Sequence, residues 1–131
     1  MAAEPLLIEL SWPAKELSPN VSVHHMVLSR FRKAAKTEAG WATKMVRPFT
    51  WGSDGPFEIL VRAYPPEAWR TGDDDNLIAR LKSHFDGIAE ALGVNDRQFK
   101  RPIVEWCDRT RNGKIVIRVK PVSTEPESMA A

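Results

Sequence analysis

Between Asp75 and Leu92 the apolar residues Ile78, Leu81, Phe85, Ile88 and Leu92 recur in steps of three and four. That period is the period of an α-helix, and it draws one apolar stripe that must be buried against another surface. Gly93 follows, a residue that ends helices by adopting a left-handed conformation. A lone amphipathic helix cannot cover its own stripe, so the rest of the chain has to supply the partner. Segments with a different period do so. Leu6–Trp12 (LLIELSW) alternates and is stopped by Pro13. Pro56–Tyr64 alternates more clearly, with Phe57, Ile59, Val61 and Ala63 on one side, Glu58 and Arg62 on the other, and Pro65-Pro66 as its end. Ile103–Asp108 and Lys114–Lys120 read as two more strands, joined at Arg111-Asn112-Gly113. Asn-Gly accepts the positive φ angles of a type I′ turn, which predicts a hairpin with Ile115, Ile117 and Val119 on its buried face. A basic helix is expected over about Val23–Lys44, after turn residues at Ser18-Pro19-Asn20. The sum is an α+β fold, a small mixed sheet covered by two main helices.

At 131 residues, 43% hydrophobic and 27% charged, the chain is expected to form one globular domain over 1–131. Its ordered core is expected over about 6–120, with a small, polar, acidic tail over 121–131. One cysteine, Cys107, excludes a disulfide framework and a thiolate zinc site. It alternates with Ile103 and Glu105 and reads as a small buried hydrophobe. No apolar run approaches the length of a membrane span, and no charged-then-apolar leader opens the sequence, so a cytoplasmic protein with no membrane partner is expected. His24, His25 and His84 are too scattered to form a metal cluster and read as surface or interface residues. Among the tryptophans, Trp12 and Trp106 read as core, while Trp41, Trp51 and Trp69 sit near helix and strand breakers and are candidates for exposure.

The net charge of +2 conceals an uneven distribution. Residues 26–50 carry +5 and residues 97–120 carry +6, and between them residues 71–96 carry −4. Basic flanks suit a polyanion, and an acidic patch between them suits a bound cation. The bland alternative is an ordinary mixed-charge surface. The acidic patch centres on Thr71-Gly72-Asp73-Asp74-Asp75-Asn76-Leu77. If Asp73–Asp75 enters the helix extended, Asp73 and Asp75 project to the same side, where their repulsion favours a cation such as Mg²⁺. Capping of the helix and interaction with its dipole is the competing explanation. At 100° per residue Lys82 and Asp86 fall within about 20° of Asp75 on the helix, so Lys82 could meet a phosphate oxygen or merely pair with Asp86. Asp96 returns past the helix end and is a candidate third ligand, or simply a turn residue.

The string D-x-D-N-L opening a helix, followed by F-D-G-I-A and A-L-G-V-N-D-x-Q, resembles the RusA family of Holliday-junction resolvases, often carried by phages and prophages. The opening L-S-W-P with S-P-N-x-x-V-H-H before a basic helix is similar to that family as well, so the likeness covers about Ile8–Val119. The resemblance implies a homodimer that binds four-way DNA junctions and cuts opposed strands with Mg²⁺, Mn²⁺ being a possible substitute. It implies three catalytic aspartates that hold the metal, falling here on Asp73, Asp75 and Asp96. The family's lysine stands one turn beyond the second aspartate, which is Ala79 in this chain; Lys82 lies two turns beyond, and Arg80 is the fallback. The acid that usually precedes the third aspartate is Asn95 here.

The resulting expectation is an Mg²⁺-dependent endodeoxyribonuclease on branched DNA, in the cytoplasm of a bacterial or phage-infected cell. Arg30, Arg32, Lys33, Lys36 and Lys44 from the first basic block, and Arg97, Lys100 and Arg101 from the second, would follow DNA phosphates. A branched-DNA-binding protein that does not cut is the alternative, and a D-x-D enzyme acting on nucleotides or nucleotide sugars is a third.

Overall fold

In the strands Leu6–Ser11 (β1), Phe57–Tyr64 (β2) and Lys114–Pro121 (β4), every second residue is buried. The computed structural model describes residues 4–48, 51–52, 55–69 and 72–122. Ile8, Phe57, Val61, Ile115, Ile117 and Val119 are fully shielded from solvent, and they form one continuous face of the sheet. The strands alternate because only that face is covered by helices; their other side chains are exposed or half-buried.

The sheet has four strands in the order β1-β4-β2-β3, where β3 is Ile103–Trp106. β4 pairs antiparallel with both β1 and β2, while β3 runs parallel to β2 at the edge. The fold is therefore α+β with a mixed sheet packed against helices. The predicted β3–β4 hairpin is not formed, although Gly113 does adopt a positive φ of 72°. β4, eight residues long and fully alternating, inserts at the centre of the sheet, and β3, with four residues and an exposed Ile103, is left beside β2. Pro121 is the buried last residue of β4, one position into the expected tail; residues 123–131 of that tail lie outside the described residues.

The basic helix α1 runs His25–Val46, two residues later than expected at each end. His24 caps it, its Nδ1 accepting from the Met26 amide at 3.2 Å. The segment expected as one helix from Asp75 is two: α2 over Asp74–Arg80 and α3 over Lys82–Leu92, broken at Leu81 with φ −93° and ψ 2°. Gly93 ends α3 in the left-handed region at φ 70°, as its position predicts. Of the apolar stripe, Leu81, Ile88 and Leu92 are buried, while Ile78 and Phe85 are only partly so. The buried face is wider than that stripe and also takes in Leu77, Arg80, His84 and Gly87. His84 is consequently a buried residue at 2% exposure and not a surface one. Trp51 is likewise buried, its indole N–H donating to the Glu4 carbonyl at 2.8 Å, which corrects its place among the exposed candidates. No helix among the described residues is long and apolar enough to cross a membrane.

Candidate active site

The acidic string is held by contacts that begin in the sequence itself. α2 starts at Asp74, so only Asp73 is extended, and it serves as N-cap, its Oδ1 accepting from the Asn76 amide at 3.1 Å. Asp74 accepts from the Trp106 indole N–H at 2.6 Å. Asp75 accepts from Arg101 Nη2 at 2.8 Å, in an ion pair whose side chains are each 81% exposed. The three neighbouring acids thus point to three different partners. Asn76 donates to Ser18 Oγ at 3.0 Å, which ties the S-P-N turn to the D-N-L string. Gly72 is required by crowding: a Cβ there would meet the Trp106 ring at 2.8 Å. Thr71, which begins the string, lies outside the described residues.

Asp96 sits in the single 3-10 turn Asp96–Gln98, reached from α3 through Gly93 and Asn95. It lines the same groove as Asp86 of α3, so the two carboxylates stand near one another. Burial, and after it the nearby Asp96, raise the Asp86 pKa above the usual carboxylate value, and Lys82 and Lys36 oppose them. Two carboxylates placed near one another repel, and a cation between them would relieve that repulsion. That groove, of about 270 Å³, is also lined by Lys82, Lys100, Arg101 and the apolar Ile78, Phe85 and Phe99. Ala79, one turn after Asp75, lines the same groove, and the Asp75–Arg101 pair stands at its side.

Sequence reasoning placed Asp73, Asp75 and Asp96 together, with Lys82 beside them. The structure puts Asp96 with Asp86 and Lys82, gives Asp75 to Arg101, and uses Asp73 as a cap. Among the described residues no group of three or more His, Cys, Asp or Glu is arranged to hold a metal ion. The Asp86–Asp96 pair still fits Mg²⁺, which takes oxygen ligands and is commonly held by one or two carboxylates with water completing its shell. No histidine or cysteine lines the groove to favour a softer ion. Asp86, which lines the groove with Asp96, was outside the set of site residues chosen from the sequence. Its signal was the polar stripe with Lys82, which reads equally well as a surface ion pair.

Arg80, the fallback for the family's lysine, is committed elsewhere. It is 5% exposed, donates through Nη2 to the Pro13 carbonyl, and lies 5.1 Å over the Trp69 ring. Burial lowers its pKa. Trp69 in turn packs edge-on to Trp12 at 5.1 Å and stacks against Trp106 at 6.5 Å, so a tryptophan cluster supports the base of α2. Cys107 is half-buried just past β3, its amide donating to the Ala63 carbonyl at 2.8 Å.

The basic residues remain at the surface. Arg30, Arg32, Lys33, Lys36 and Lys44 are exposed along α1, and Arg97, Lys100 and Arg101 are exposed at or after the turn that carries Asp96. Lys36 pairs with Glu90 at 2.8 Å, an exposed contact that raises the Lys36 pKa and lowers that of Glu90. Arg32 lines a second depression with Lys82 and Asp86, so the first basic block reaches the acidic pair across α3.

No family model matches the chain. It is 38% identical over 125 residues to an uncharacterized protein of Xylella fastidiosa, an alignment that takes in 90% of this chain and 78% of that protein.

Proposed function

The chain belongs to one family with that Xylella fastidiosa protein, and we propose that the member described here is a magnesium-dependent endonuclease cutting branched DNA. The observation that carries the reading is that Asp86 and Asp96 line one groove together with Lys82, Lys100 and Arg101. They are a carboxylate pair suited to a divalent ion, set among cations suited to phosphate. The resemblance to RusA-type resolvases supports the same reading, with the difference that Asp86 joins Asp96 where Asp73 was expected.

In this reading Asp86 and Asp96 would hold Mg²⁺, and Asp75 would join them on release from Arg101. That exchange is cheap because an ion pair so exposed contributes little. A divalent ion bound there supplies charge stabilisation at the phosphate and a bound water of lowered pKa. Lys100 and Arg101 bind and orient the phosphodiester, and Lys82 presents its ammonium to the oxygens on which charge grows. Arg80 takes no part, being buried beneath Trp69. Paired incision of a four-way junction requires two copies of such a site, hence a homodimer. The reaction belongs to the cytoplasm of a bacterial or phage-infected cell.

The test is incision of a labelled four-way junction with Mg²⁺, with Mn²⁺ and with EDTA. Paired, metal-dependent nicks near the branch point are expected. Tight junction binding with no incision under any of the three conditions would favour the non-cutting alternative. Turnover of a nucleotide sugar without salt-sensitive DNA binding would favour the small-substrate alternative.

A further inference from the structure

A second groove, of about 520 Å³, lies between α1 and α3, away from the Asp86–Asp96 pair. Its floor has almost no side chains. Gly40 of α1 faces Gly87 of α3, and a Cβ at Gly40 would stand 3.7 Å from the Gly87 carbonyl oxygen. The two helices cross closely there, since a Cβ at Gly87 would stand 2.2 Å from the Lys36 carbonyl oxygen. One wall is Trp41, 64% exposed, with Lys44 Nζ 5.3 Å from its ring centre. Lys33 and Lys36 continue the line of cations, and Lys33 to Lys44 spans eleven helical steps, about 16 Å. Glu90 is the groove's one acid among its lining residues and is already paired with Lys36, which leaves the groove net positive.

We infer that this groove binds single-stranded nucleic acid, with an unpaired base stacked on Trp41 and the lysines on the flanking phosphates. A flat aromatic face beside a line of cations is the combination that single-strand binders use. A duplex keeps its base faces stacked and offers Trp41 nothing to cover. A protein partner is disfavoured because lysine is depleted from the centres of such interfaces, and three lysines surround this tryptophan. The inference rests on the nucleic-acid part of the reading above and not on cleavage.

The experiment is fluorescence anisotropy of a labelled twelve-residue oligothymidylate, with EDTA present so that no strand is cut. Trp41→Ala is expected to weaken binding about ten- to a hundredfold with an unchanged salt slope, while Trp41→Phe retains most of the affinity. Lys33→Gln with Lys44→Gln is expected to lower the salt slope by about 1.4. Circular dichroism checks that each variant folds. If Trp41→Ala binds the oligonucleotide like the wild type while both bind a four-way junction, the Trp41 site is overturned and the nuclease reading stands. If the wild type binds neither DNA at low salt, both fall.

Discussion

Gly87 of α3 lies directly beneath the backbone of Lys36 in α1, so close that a Cβ at Gly87 would be 2.2 Å from the Lys36 carbonyl oxygen. Backbone cannot step aside as a flexible side chain can, so the two helices would have to separate. Gly87→Ala is expected to destabilise the protein by about 1–3 kcal/mol or more, read as the shift in a urea midpoint. Gly40→Ala, whose Cβ would find ordinary contact at 3.7 Å, is expected to be neutral or mildly stabilising. Equal behaviour of the two variants would show that the crossing is looser than described.

The carboxyl pair gives the most direct test of the proposed chemistry. Asp96→Asn keeps the side-chain shape in the groove but removes a proposed metal ligand. Changes in the groups around metal ligands already cost about 10–100-fold, so loss of a ligand is expected to reduce incision more than about a hundredfold. Asp75→Asn is expected to abolish cutting as well. Both should bind a four-way junction as well as the wild type or better, since each removes a negative charge beside the DNA. Asp73→Asn should retain more activity than either, because asparagine also caps a helix and the Asp73 side chain is occupied with the Asn76 amide.

Arg101 separates a structural ion pair from a phosphate contact. Its partner Asp75 is as exposed as it is, so Arg101→Gln should leave thermal stability unchanged. Its junction affinity should fall, and the salt slope on duplex arms should drop by about 0.9. A variant with unchanged DNA binding would remove Arg101 from the interface.

How far the sequence reveals all this depends on whether a signal is local. The alternation of Phe57, Ile59, Val61 and Ala63, and of Ile115, Ile117 and Val119, is a local record of one buried face, and those residues are all buried. Gly93 is a local record of a helix end. The partner of a strand is not local. Asn112-Gly113 does turn the chain, but which edges β3 and β4 meet is decided by the whole sheet, where the longer strand takes the centre. The break at Leu81 has no glycine or proline to announce it. The acids near α2 could be listed from sequence, whereas the approach of Asp86 on α3 to Asp96 in a later turn is a tertiary event that no local pattern records.

His84 supplies a pH dependence distinct from the catalytic one. Burial holds its pKa below the ordinary histidine value, and Glu38, whose Oε1 is 3.8 Å from His84 Nε2, only partly opposes that. The unfolded chain therefore binds a proton more readily than the folded one, and stability rises with pH. The penalty is absent well above the unfolded value of about 6.5 and grows as pH falls below it, until the folded pKa is passed. Urea unfolding in EDTA is expected to show lower stability at pH 5.5 than at pH 7.5, and His84→Leu should lose most of that difference. Glu38 also accepts from the Ser11 amide and hydroxyl at 3.0 and 2.7 Å, so Glu38→Gln lowers stability at both pH values. Because it also removes the charge that favours protonated His84, the gap between the two pH values should widen in that variant. A gap that narrows instead would mean that Glu38 does not act on His84.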